Sequence, residues 1–119
     1  MNFKVNERYN AVVIELKGNV MGGPDGANLL DKLRELKDDG KLNVIVDLSR
    51  VKFMNSSGLG MLISAMTTMR NGGGDLRLAN VADRIRSLLM ITKLITVFKH
   101  FVSIEEAAES YETEPPGGS

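Results

Sequence analysis

Residues 53–60 read FMNSSGLG, which sets two adjacent hydroxyls, Ser56 and Ser57, between an apolar pair and a glycine that opens another apolar run. Four kinds of chemistry use hydroxyls in such a place: capping a helix, attacking a carbonyl, holding a phosphate, or accepting one. Attack needs a base within reach and commonly a tight, Gly-flanked turn at the nucleophile. Met54 stands two residues before Ser56, and the single histidine, His100, lies in the apolar context VFKHF. A Ser-His hydrolase is therefore disfavoured, and His100 reads as an edge or partly buried histidine. Phosphate cradling fares no better. The glycine-rich stretches GGPDGANLLD and NGGGDLR lack the Gly-Lys-Ser/Thr ending that places an ammonium and a hydroxyl on a nucleotide. They read as turns before one helix and after another. For metals, the chain has no cysteine, and KDDGK at 37–41 offers one adjacent carboxylate pair beside two lysines, a solvated turn. No metal and no cofactor is expected.

Capping and acceptance remain. Asn55, Ser56 and Ser57 occupy the entry to a helix, where the first backbone N–H groups lack partners and a side-chain oxygen can satisfy one. Capping accounts for one hydroxyl and does not require two. A hydroxyl at a loop–helix junction is also open to a protein kinase. From Phe53 through Met69 no residue is charged, although a helix with a solvent face ordinarily carries some charge. Met61, Ala65 and Thr68 lie away from the Leu59, Leu62 and Met66 stripe, so part of this second face should be covered by neighbouring elements, such as the terminal helix, or by a partner. A phosphoserine would add about −1.5 to −2 charges to this patch. A helix N-terminus tolerates the anion, but an apolar partner docked over Met54, Leu59 and Met61 would have to strip its water. Phosphorylation would then switch binding off and leave the fold intact.

The elements that must position these hydroxyls alternate. Runs at 3–8 and 11–17 predict an opening hairpin, with Val12, Ile14 and Leu16 on one face. Leucines 29, 30, 33 and 36, with Pro24 before and Gly40 after, predict a helix over about 25–39. NVIVDL at 43–48 reads as a central strand buried on both faces. A second helix starts at the serines and ends at NGGG. DLRLAN predicts a strand with Leu76 and Leu78 on one side and Arg77 on the other, and Asn80 as N-cap of a helix carrying Ile85, Leu88 and Leu89. ITVFKHF suggests a short last strand, and SIEE at 103–106 a capping box before a terminal helix. Such alternation demands crossovers, hence a mostly parallel sheet with helices packed on it. Functional groups then gather where loops leave the carboxyl ends of strands, and SRVKFMNSSG leaves the end of the central one.

A chain of 119 residues, 43% apolar and 25% charged, suits one folded domain. We assign residues 1–111 to it and 112–119, ETEPPGGS, to a flexible acidic Pro/Gly tail. Fifteen basic and fifteen acidic residues cancel, which argues against nucleic acid as a partner. No segment approaches the ~18 apolar residues of a membrane span, and MNFKVNERYN lacks a secretory apolar stretch. The expectation is a cytoplasmic protein without direct membrane insertion.

VIVDLSRVKFMNSSGLGMLISA resembles the signature of the STAS domain, named for sulphate transporters and anti-sigma factor antagonists. GGDLRLANV and LITVFKHFVSIEEA also look similar to stand-alone bacterial members. The resemblance implies an α/β, STAS-type single domain with about four to five mostly parallel or mixed β-strands and about four α-helices. It further implies a non-enzymatic anti-sigma factor antagonist that binds an anti-sigma factor serine kinase and frees a sigma factor. Phosphorylation of Ser56, with Ser57 as a secondary candidate, would end binding, and a metal-dependent serine phosphatase would restore it. The docking surface is expected at Met54, Asn55, Ser56, Ser57, Gly58, Leu59 and Met61. One position departs from the pattern: Asn55 stands where the family usually has aspartate. An amide still caps a helix but carries no charge beside the hydroxyl. A non-switching STAS scaffold or transporter-associated subunit is thus the alternative.

Overall fold

Along Ala11–Val20, strand β2, apolar side chains alternate between two cores. Val12, Ile14 and Leu16 enter a large one; Ala11 and Val13 enter a smaller one. A strand apolar on both faces must be covered on both, and this requirement sets the layer order. The computed structural model describes residues 1–117. Strand β1, Asn2–Arg8, pairs antiparallel with β2 across a tight turn at Tyr9, whose φ is 58°. There follow α1 (Pro24–Asp38), β3 (Asn43–Met54), α2 (Ser56–Asn71), β4 (Asp75–Ala79), α3 (Asp83–Ile91), β5 (His100–Phe101) and α4 (Ile104–Thr113). The sheet order is β1-β2-β3-β4-β5, and only β1 runs antiparallel. Helices α1, α2 and α3 supply the large core, through residues such as Leu33, Leu62 and Leu89, while α4 alone covers the opposite face.

The central strand is β3, buried from Val44 through Leu48 as expected, but it continues to Met54. The segment SRVKFM is therefore strand, paired with β2 across two register shifts, and not a loop. β4 accompanies β3 only over Asn43–Asp47.

Alternation in β4 turns Leu76 and Leu78 to the large core and Arg77 to the α4 side, where the guanidinium is 1% exposed. A buried cation is stable only with its donors matched. Nε donates to Asp75 Oδ2 at 3.0 Å, Nη1 to Ser110 Oγ at 2.9 Å and Nη2 to the Glu114 carbonyl at 2.6 Å. The guanidinium also stacks 4.1 Å from the Tyr111 ring centroid. The Tyr111 hydroxyl accepts from Val44 N–H at 3.1 Å and donates toward the Val44 and Asp75 carbonyls. Burial, reinforced by the Asp75 charge, pushes this phenol well above the ordinary tyrosine range.

The clamp corrects two expectations. The domain does not stop at 111: Glu112 and Thr113 belong to α4, and Glu114 is held by Arg77 and by Lys99 at 2.7 Å. The last two residues of the expected tail, 118 and 119, lie outside the described residues. Asn80 is not the cap of α3. It sits at φ 57° and donates from Nδ2 to Asp47 Oδ1 at 2.9 Å, while Ala82 occupies the N-cap without a side-chain bond. At α4 Ser103 is the N-cap as read, Glu106 N–H donating to its Oγ at 3.1 Å, without the reciprocal bond of a full capping box among the described residues.

Candidate functional site

The chain turns from β3 into α2 at Asn55, and the local geometry explains each residue of NSSG. Asn55 is the N-cap, extended at φ −101°, and its Oδ1 accepts from Gly58 N–H at 2.8 Å. Its own N–H donates to the Val20 carbonyl at 3.3 Å, tying the helix entry to the end of β2. Asn55, one of the three residues expected at the helix entry, therefore does the capping, and neither serine does. Ser56 and Ser57 occupy the first two helical positions, both exposed, and neither hydroxyl has a hydrogen-bond partner among the described residues.

Gly58 is buried for a steric reason. A Cβ there would lie 2.0 Å from the Val20 carbonyl oxygen, so only glycine lets α2 start this close to β2. Gly22 makes the matching approach from the other side: a Cβ on it would stand 3.2 Å from Ser57 Cβ, and its φ of 81° also favours glycine. The two glycines bring the β2–α1 turn against the first turn of α2.

Burial corrects the expected docking surface. Met54 is 5% exposed, Leu59 3% and Met61 7%. All three point into the large core. The second face of α2 is indeed covered, but by α1: Gly26 opens a notch for the Met61 thioether, 3.0 Å from where a Cβ would stand. The terminal helix, the other expected cover, lies across the sheet. Over its first three turns α2 leaves only small, uncharged residues fully exposed, Ser56, Ser57, Ser64 and Thr67, with Gly60 half-buried; Arg70 and Asn71 are exposed at its far end. Two large apolar side chains that the sequence reading left out are exposed at this end of the sheet. They are Met21, 47% exposed just past β2 and next to Gly22, which abuts Ser57, and Phe53, 42% exposed and opposite Asn19 in the ladder. Their signal was weak but present, since each is an apolar residue just outside the alternation of a strand whose inward positions were already taken.

Among the described residues no base is hydrogen-bonded to either serine. His100 is in the edge strand β5 opposite Leu78. The nearest carboxylate upstream in β3, Asp47, is buried and engaged by Ser49 N–H, Ser49 Oγ and Asn80 Nδ2, all within 3.0 Å. Among the described residues no group of three or more His, Cys, Asp or Glu side chains is placed to hold a metal ion. No helix among them is long and apolar enough to cross a membrane. The arrangement presents an unengaged hydroxyl on a rigid helix start, a group suited to being acted upon.

Residues 2–107 match the family model of the STAS domain. An anti-sigma-B factor antagonist of Staphylococcus aureus is 30% identical over 81 residues, 68% of this chain and 71% of its own. Among solved structures, an anti-sigma factor antagonist from Mycobacterium paratuberculosis superposes with a TM-score of 0.78 at 18% identity, covering 93% of each chain. The Bacillus cell fate determinant SpoIIAA in its phosphorylated form superposes at 0.69 with 23% identity, covering 91% of this chain and 97% of that one.

Proposed function

The chain belongs to the STAS domain family of anti-sigma factor antagonists, and from that premise we propose that it binds a serine-kinase anti-sigma factor and is released from it by phosphorylation of Ser56. The domain itself catalyses nothing in this scheme. The observation that carries it is the division of labour at the start of α2: Asn55 caps the helix, which leaves the Ser56 hydroxyl exposed and unbonded. A phosphate at that first position faces the free N–H groups of the helix, which favour an anion by about 0.3–1 kcal/mol, so the fold survives the modification.

A partner seated over Ser56, Ser64 and Met21 would have to desolvate the phosphate. That penalty is on the order of a few kcal/mol, and each ~1.4 kcal/mol weakens affinity tenfold. A serine phosphatase that removes the phosphate restores binding. The test is incubation with ATP and the kinase-type anti-sigma factor encoded in the same genome, with phosphate mapped by mass spectrometry and kinase capture measured before and after. The expected result is label on Ser56 and loss of capture, with neither label nor loss in Ser56→Ala. Capture without label removes the switch and keeps the binding module; absence of capture sinks the proposal.

One observation favours a second reading. The neutral amide of Asn55 offers no negative charge beside the acceptor hydroxyl during phosphoryl transfer. A non-switching scaffold or transporter-associated subunit would use the same α2 strip without the phosphate. Co-purification with a transporter complex or a large homologous assembly, in place of a kinase, identifies that case.

A further inference from the structure

On the face opposite the serines' helix, α4 covers only part of the sheet. Its Ile104, Ala107, Ala108 and Tyr111 pack on Ala11, Val13, Ile45 and Ala79. Beyond that point the face is open, and the sequence places cations there. In the ladder Lys4 pairs with Glu15, and Lys17 lies opposite Arg50. Lys4, Glu15, Lys17 and Arg50 line a groove of about 250 Å³. Lys17 and Arg50 also wall an adjoining one of about 550 Å³, which Lys52 completes and no acidic residue enters. We propose that this open end of the sheet is a docking surface for an acidic, extended segment of a partner protein.

Three observations support it. Lys4, Lys17, Arg50 and Lys52 are all exposed and gathered at one end of the sheet, and none makes an ion pair among the described residues. The chain is neutral overall, so this concentration is a matter of placement. Like charges directly opposite each other on neighbouring strands destabilise the pair, yet Lys17 and Arg50 are set that way, with one glutamate beside four cations. Carboxylates from another chain would relieve that repulsion. Nucleic acid fits less well, because four cations on a neutral domain give neither the charge nor the reach that a phosphate backbone rewards. The surface does not include Ser56 and works independently of that residue's state.

The probe is a fluorescent alternating Glu-Ser peptide, with its Gln-Ser counterpart as control, titrated at low and high salt and followed by polarisation and by amide NMR. Expected are binding of the Glu peptide alone, weakening with salt, and shifts centred on Lys17, Arg50 and Lys52. The Lys17→Glu/Arg50→Glu variant should lose at least about tenfold in affinity, and Ser56→Ala should lose none. If charge reversal prevents folding, Lys17→Gln/Arg50→Gln serves, with a smaller loss in the same direction. Undetectable binding, equal binding by the variants, or tighter binding of a DNA oligonucleotide or of phosphatidylserine vesicles than of the peptide overturns the proposal.

Discussion

Gly58 and Gly60 stand two residues apart in the same helix, and the structure assigns their replacement opposite signs. Intrinsic propensity treats them alike, since alanine is better than glycine in a helix by about 0.8–1 kcal/mol. At Gly60 a Cβ meets nothing within 4 Å, so Gly60→Ala should stabilise by roughly that amount. At Gly58 the new Cβ would lie 2.0 Å from the Val20 carbonyl oxygen and 2.6 Å from its carbon, both backbone atoms that cannot swing aside. The helix start must move outward by more than an ångström. That movement stretches the Asn55 N–H contact to Val20 and the Asn55 cap on Gly58. Overpacking costs about 1–3 kcal/mol and a lost cap about 1 kcal/mol. Against the propensity gain, the net expectation for Gly58→Ala is about 1–3 kcal/mol of destabilisation. For a domain of this size that lowers Tm by about 4 °C per kcal/mol. Urea and thermal unfolding followed by circular dichroism measure both variants. If Gly58→Ala is as stable as the parent, or if the two alanines shift stability alike, the close approach of α2 to β2 is not what fixes this glycine.

Other perturbations test separate parts of the molecule. Tyr111→Phe strands the Val44 and Asp75 backbone groups and should cost about 1–3 kcal/mol in urea unfolding. Tyr111 in the folded state titrates above the usual 10.0, so its contribution is intact below that pH and is lost as pH rises past it. Tyr111→Phe should therefore show a shallower loss of stability at alkaline pH than the parent. Asn55→Ala should destabilise by about 1 kcal/mol, while Asn55→Asp keeps the cap and adds a favourable charge at the helix start. Under the phosphoswitch reading Asn55→Asp also speeds labelling of Ser56, as timed by mass spectrometry. The Lys99 hydrogen bond and charge hold Glu114 below its ordinary 4.5, so that contact persists above this pH and is lost as pH falls. Carboxyl NMR should show the Glu114 titration moving up in Lys99→Ala.

Much of the fold was legible because period and punctuation agree with it. NVIVDL was continuous and β-branched, and it is the buried middle strand; leucines 29, 33 and 36 kept helical spacing and reached the core. SIEE announced α4 and capped it. The failures have a common origin in long-range contacts. SRVKFM reads as a loop because its polar residues face an open side of the sheet, and only pairing with β2 shows it to be strand. Asn80 looked like a cap because nothing local reveals that Asp47, thirty-three residues away, takes its amide. The loose tail looked longer because Arg77, which anchors Glu114, lies on a different strand.

At the site the same division holds. The residue types and their order in NSSG argued against a nucleophile and a nucleotide loop and pointed to a helix start bearing hydroxyls, and the structure starts α2 at Ser56. Which surface is free to meet a partner was beyond the sequence. An uncharged helix face looks the same whether a neighbour or solvent lies over it, and the crossing of α1 at Gly26 buries Met61 while Ser56 and Ser57 stay in water. Accessibility is a property of the packed chain, decided by contacts between residues far apart in sequence.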